Sequence, residues 1–316
     1  HEFFVKGEII WDRFFKYAQF ATISGEDLAL PLGDGYQVSI DQYDLQHPKN
    51  SLTLDNVTLT SDFTADEYSR NLTFQKDWFD VRVDGITLSG VDFERALASQ
   101  EFKTEKVLLD GLNALVYRDK AVPFNDAVVK KLPQSMLRAI DRWIYIDTLQ
   151  VSGDITYQEK PLGKVEIAEI SFNSLDASLF NITSVDSMTS IPMRLIAKGQ
   201  LVDTANFEIS VFFDTQDPKD KFAFTGQVDS LQLTALNKLL RPVGGLIIKD
   251  GFAERIWFNI EANNEIATGK MIFRYDNLKV QILNPETNDL HGLSQGIKTF
   301  MANAFVLKHK TQKPYS

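Results

Sequence analysis

A six-residue pattern, apolar–Asp/Asn–x–apolar–x–apolar, recurs along this chain and restricts its fold more than any other feature. It appears as Leu54-Asp55-Asn56-Val57-Thr58-Leu59, Val83-Asp84-Gly85-Ile86-Thr87-Leu88 and Leu109-Asp110-Gly111-Leu112-Asn113-Ala114. It returns as Ile146-Asp147-Thr148-Leu149-Gln150-Val151 and Phe172-Asn173-Ser174-Leu175-Asp176-Ala177. Two later copies start at Val228 and Tyr275. The first five copies begin 26 to 37 residues apart, and the next gap of 56 spans about two such periods, the mark of a repeated structural unit.

Positions 1 and 4 of the pattern have opposite parity, so an uninterrupted strand would turn them to opposite faces. A bulge or tight jog between them restores a common face. Asp and Asn suit such a jog because they bond nearby backbone N–H groups and tolerate left-handed geometry. The surrounding segments alternate with period two, as in Phe207 to Phe212, Lys221 to Thr225, Arg255 to Ile260 and Lys270 to Tyr275, which reads as strand. The expected fold is mainly β, an extended, curled antiparallel sheet of kinked strands with one apolar face and a few short helices.

Residues 1–122 are expected to hold N-terminal β repeats and 144–283 further β repeats. Between them, 123–143 reads as a helical insertion with Asn125 as cap, kinked or split by Pro133. A short turn around Thr234 to Asn237 should stop at Pro242. The tail, 284–316, holds a possible amphipathic helix over Leu290 to Leu307. The chain opens on a strand-like run with Glu2, Lys6 and Glu8 where a signal peptide would be apolar, so it reads as a segment cut from a longer protein.

A net charge of −10 argues against nucleic acid as the main partner, since phosphate binding needs clustered cations. With no cysteines, disulfides and thiolate chemistry are excluded. His1, His47, His291 and His309 show no metal-ligand spacing, so neither a metal nor a cofactor is expected, and nothing singles out a catalytic pair of carboxylates. A non-enzyme is the expectation. Asn56, Asn71 and Asn181 head Asn-x-Ser/Thr triplets that read as chance occurrences. Tyr117 to Lys120 reads as a solvated turn.

Phenylalanine occurs 23 times, often on alternating strands. A curled sheet would turn these rings into a groove for acyl chains, whereas a sandwich would bury them against a second sheet. Phe222, Phe224, Phe258 and Phe273 are the candidate groove residues.

The run Val228 to Asn237, Lys249-Asp250-Gly251, Ile256 to Ile260, Ala267 to Met271 and Tyr275 to Val280 resembles the C-terminal region of AsmA-like envelope proteins, especially the large versions of Bacteroidetes. Ile86 to Phe93, Lys106 to Pro123 and Trp143 to Glu159 resemble the part preceding it, so the likeness spans roughly residues 80 to 283. It implies a repeating β-groove in the periplasm, held at the inner membrane by an anchor that this chain lacks. It further implies lipid (phospholipid) binding or transfer, a part in outer-membrane homeostasis and contacts with envelope proteins. The family offers no catalytic residues to carry over. The alternative is a non-catalytic β-sandwich scaffold that binds envelope proteins or glycans.

Overall fold

The alternating segments all join one sheet. The computed structural model describes residues 21–99, 101–127, 131–185 and 191–283. In chain order the strands are β1 (Ala21–Leu32), β2 (Tyr36–His47), β3 (Ser51–Ser61), β4 (Trp78–Ser89), β5 (Phe102–Asp119) and β6 (Ile144–Lys160). They continue as β7 (Ala168–Thr183), β8 (Met193–Leu201), β9 (Ala205–Phe213), β10 (Phe222–Gln232), β11 (Leu246–Ala262) and β12 (Ala267–Ile282). Each strand pairs with its neighbour in sequence, from β1 through to β12, and the sheet does not close into a barrel.

One junction departs from the antiparallel expectation: β5 and β6 run parallel. Parallel neighbours need a crossover of a dozen or more residues, and the segment 120–143 supplies it. The sheet is therefore mixed. All substantial strand–strand contacts join ladder neighbours, so the second sheet that a sandwich requires does not form among the described residues.

Four short helices decorate the sheet: α1 (Ala65–Arg70), α2 (Phe93–Ala98), α3 (Pro133–Arg138) and α4 (Asn237–Gly244). Thr64 and Glu67 close a reciprocal capping box on α1. In the crossover the helix is confined to Pro133–Arg138, which corrects the longer expected helix. Pro133 occupies the first turn of α3 rather than kinking it, because a first-turn residue has no N–H partner to lose. Asn125 accepts from the Ala127 N–H in a local turn. Val128 and Val129, counted toward that longer helix, lie outside the described residues. So do the tail helix, His1, His291 and His309. Pro242 sits inside α4 instead of stopping it, and Gly245 ends the helix with a left-handed φ of 60°.

The expected jogs are present, but their geometry differs from a simple bulge at Asp. In five of the seven copies a left-handed residue falls at the third position of the pattern: Asn56, Gly111, Ser174, Ser230 and Asn277 all have φ between 48° and 66°, whereas Gly85 and Thr148 do not. Asp27 in β1 has φ 53°, within Gly25-Glu26-Asp27-Leu28-Ala29-Leu30, a degenerate copy with glycine at position 1 and glutamate at position 2. Ile40-Asp41-Gln42-Tyr43-Asp44-Leu45 in β2 is a further copy that matches the pattern fully.

Pairing stays in constant register across these sites from β1 to β5. Asp27, Asp41, Asn56, Asp84 and Gly111 therefore line up strand by strand. No extra residue is inserted there; neighbouring strands jog together and form one crease. At Gly111, where φ is 66°, an added Cβ would strike the Asp84 side chain, which would have to turn aside. Beyond the crossover the register slips at the crease, between Gly153 and Ile155 and again between Asn173 and Asp176.

Candidate functional site: an uncovered apolar face

Strands that cross the crease change parity there, and β8 and β9 alternate without a jog, so the apolar residues stay on one face. Following Cα partners across the ladders gives one unbroken row over eleven strands. It runs Ile23–Leu45–Leu52–Leu88–Val107–Leu149–Leu179–Leu195–Val211–Phe224–Ile260. A second row, two residues nearer the crease, runs from Tyr43 and Leu54 through Ile86, Leu109, Val151, Ala177, Ala197 and Ile209 to Gly226, Phe258 and Met271. The opposite face is polar at matching height, with Ser24, Asp44, Thr53 and Thr87 at one side and Ser210, Thr225, Asn259 and Lys270 at the other. One face is solvated and the other apolar.

The apolar face is only half buried. In the first row just Val107 and Val211 are buried, at 8% and 7% exposure; the other nine positions are intermediate. Covering elements sit at the margins. Val91 and Phe93, at the start of α2, pack on Ile23, Leu45, Leu52 and Leu88. The 3-10 turn Leu233–Leu236 and α4 bring Leu233 and Leu240 together with Leu231, Leu246 and Ile248, against Val228, Ile256 and Phe273. Between these margins, among the described residues, β6, β8 and β9 make substantial contacts only with their ladder neighbours, whereas α4 also packs on β7. The buried trio Ala177, Ala197 and Phe207 there is shielded mainly by other side chains of the sheet.

The four phenylalanines named from sequence all lie on this face. Phe222, Phe224 and Phe258 follow from the β10–β11 register, and Phe273 pairs with Ile256. The rings of Phe224 and Phe258 are 4.7 Å apart, and that of Phe222 is 6.2 Å from Phe213. Phe273 belongs to the covered margin under the turn and α4. Sequence reasoning missed Gly226, whose absent side chain seats Phe258: an added Cβ would lie 2.6 Å from that ring. It also missed Leu149, Leu179, Leu195 and Val211, which join Phe224 only through pairing between distant strands.

Polar clamps hold the margins. Within the crossover, Arg138 pairs with the buried Asp220 of the β9–β10 loop and also donates to the Thr215 carbonyl at 2.9 Å. Gln134, fully buried, donates to the carbonyls of Asp220 and Lys221. The crossover thus straps a hairpin four strands away in the sheet order. At the α4 margin, the Asn237 amide donates to the Ile248 carbonyl and accepts its N–H, at 2.8 and 2.7 Å. Lys238 and Arg241 of α4 reach Glu169 and Glu166 beside β7.

Tyr117 to Lys120 is not a solvated turn. Tyr117 and Asp119 are buried, and Arg118 forks onto Asp77 at 2.6 and 2.5 Å. Lys160 at the end of β6 donates to Asp66 of α1 at 3.1 Å and contacts Asp119 at 3.4 Å. That hydrogen bond holds the Asp66 carboxyl below the usual carboxylate range. Burial, reinforced by Asp66 and Asp119, pushes the Tyr117 hydroxyl well up. Burial likewise raises Tyr36 to about 12, although its oxygen accepts the Phe79 N–H.

Among the described residues, the carboxylates displaced from their ordinary range are Asp66, Glu67, Glu169 and Asp250, and all are lowered. A general acid needs the opposite shift. A polar recess lined by His47, Asp92, Glu94, Lys103 and Glu105 lies beside α2. No group of three or more His, Asp or Glu converges as metal ligands among the described residues. Compared with protein-family models and with curated proteins, the chain matches none.

Proposed function

We propose that the half-buried apolar face is a trough for the acyl chains of lipids, and that the chain works in lipid (phospholipid) binding or transfer in the cell envelope. The observation that carries this reading is the eleven-strand apolar row, nine of whose positions stay partly exposed among the described residues. Soluble monomers rarely leave contiguous apolar patches above a few hundred Å² unless something binds there. At about 4.8 Å per strand the face is roughly 50 Å long, so it suits long flexible chains. Apart from the Tyr43 hydroxyl its rows are apolar from strand to strand among the described residues, with few polar groups to orient a compact ligand.

The resemblance to AsmA-like proteins supports a periplasmic setting at the inner membrane, with envelope proteins as partners. No helix among the described residues is long and apolar enough to cross a membrane. The scaffold alternative calls for a sandwich with a filled interior, and the described residues form a single sheet instead.

Native mass spectrometry and lipid extraction of the purified protein test the proposal. Co-purifying diacyl lipid is expected, together with acyl-chain cross-links from a photoreactive residue at Phe224. The double substitution Leu195→Glu and Val211→Glu should abolish lipid recovery while circular dichroism stays β-rich. A well-folded protein with neither bound lipid nor cross-links would overturn it.

A further inference from the structure

The two edges of the sheet carry matching surfaces. β1 and β12 have no outer partner among the described strands. Strands β1 to β5 alternate in direction, β6 repeats the direction of β5, and alternation resumes to β12. β1 and β12 therefore run the same way, and a strand leaving one molecule meets the other molecule's edge in parallel.

A straight strand cannot follow an edge that is creased. It would put its apolar residues on the wrong face beyond the jog. An acceptable partner needs its own left-handed residue at the matching height, with apolar residues spaced identically on either side. β1 meets that condition for β12: Asp27 has φ 53° and Asn277 has φ 49°. Aligning these two sets Ile23 beside Phe273, Gly25 beside Tyr275, Leu28 beside Leu278 and Leu30 beside Val280. All these residues then continue the apolar face.

Charge favours the same pairing. The charged residues of β1 are Glu26 and Asp27, whereas β12 carries Lys270, Arg274 and Lys279 against Asp276. Glu26 would neighbour Asp276, a like-charged pair, with Arg274 two residues along, so the complementarity is one of net charge. Two copies of β1 would bring only acidic residues together, and two of β12 a surplus of basic ones, which is unfavourable between strands. A parallel junction is already part of the molecule, since β5 and β6 pair along their whole length with one slip at the crease.

The geometry points to head-to-tail association in which β1 of a second copy of this chain adds in parallel to β12, jog beside jog. Such a contact is heterologous, and it extends the apolar face from one molecule into the next. The inference does not depend on what the face binds.

The absence of native cysteines allows a direct test. Thr22 and Ile272 are both exposed and become neighbours in this register. Proteins carrying Thr22→Cys and Ile272→Cys are mixed under mild oxidation. The mixed disulfide dimer should exceed both homodimers and the off-register mixture of Thr22→Cys with Thr268→Cys by about tenfold. Sedimentation of the cysteine-free protein should show concentration-dependent association, weakened by Glu26→Lys with Asp27→Lys. Equal yields in all mixtures, a predominance of homodimers, or a monomer at every concentration would overturn the inference.

Discussion

At the scale of single residues, the third position of the repeated pattern does the distinctive work. Left-handed backbone costs an L-residue roughly 1–2 kcal/mol, least for Gly, Asn and Asp, and those residues with Ser occupy the creased sites. Asn56→Val should destabilise the protein by about 1–2 kcal/mol, while Asn56→Gly should leave it near the parent value. Urea unfolding with both variants checks this, because loss of side-chain contacts alone would penalise glycine more. The same geometry accounts for two Asn-x-Ser/Thr triplets: Asn56 and Asn181 stand where φ is 51° and 57°.

At the scale of elements, the helices are too short to be stable alone and depend on their clamps. α1 is held through Asp66 to Lys160. The Asp66 pKa is lowered from 3.8, so its contribution is present above that value and is lost as pH falls through the lower folded value. The Lys160 pKa is raised from 10.5, so its contribution is full below that value and disappears as pH rises through the higher folded value. Hydrogen exchange of the α1 amides should therefore be slowest between those limits and accelerate on either side before the sheet unfolds. Because Asp66 is more than half exposed, the change should be local and modest. Lys160→Met should remove most of the pH dependence of α1 exchange.

For the whole molecule, order in space follows order in sequence. Each strand touches its two neighbours, so stability approximates a sum of nearest-neighbour terms, as in repeat proteins. The exceptions include the strap from the crossover to the β9–β10 loop, the ties from α4 to β7, the packing of Val91 and Phe93 on β1 to β3 and the Lys160 contact with α1. Hydrogen exchange should accordingly be graded, fastest in the outer halves of β1 and β12 and slowest in β5 to β7. The long β5–β6 and β6–β7 ladders lie there, at least three ladders from either edge. Exchange mass spectrometry showing one uniform rate across all twelve strands would contradict this gradient.

What the sequence by itself determined is local: strands alternate with period two, and a jog residue restores parity at each copy of the pattern. These follow from steric rules acting within a few residues, so one apolar face and its four phenylalanines were legible before any contact was known. Copies at Gly25 and Ile40 escaped because glycine stood at position 1 in one and the surrounding strand was not read as a repeat in the other. Alignment of the jogs into one crease from β1 to β5 depends on the pairing of residues 14 to 28 apart, which no single strand encodes. The parallel junction at β5, the burial of Tyr117 and Asp119, and the strap from Arg138 to Asp220 are likewise products of chain reversal and loop placement. Openness of the apolar face was decided only in three dimensions. The same alternation fills a core when a second sheet lies opposite, and here the strands spend their pairing on extending a single sheet.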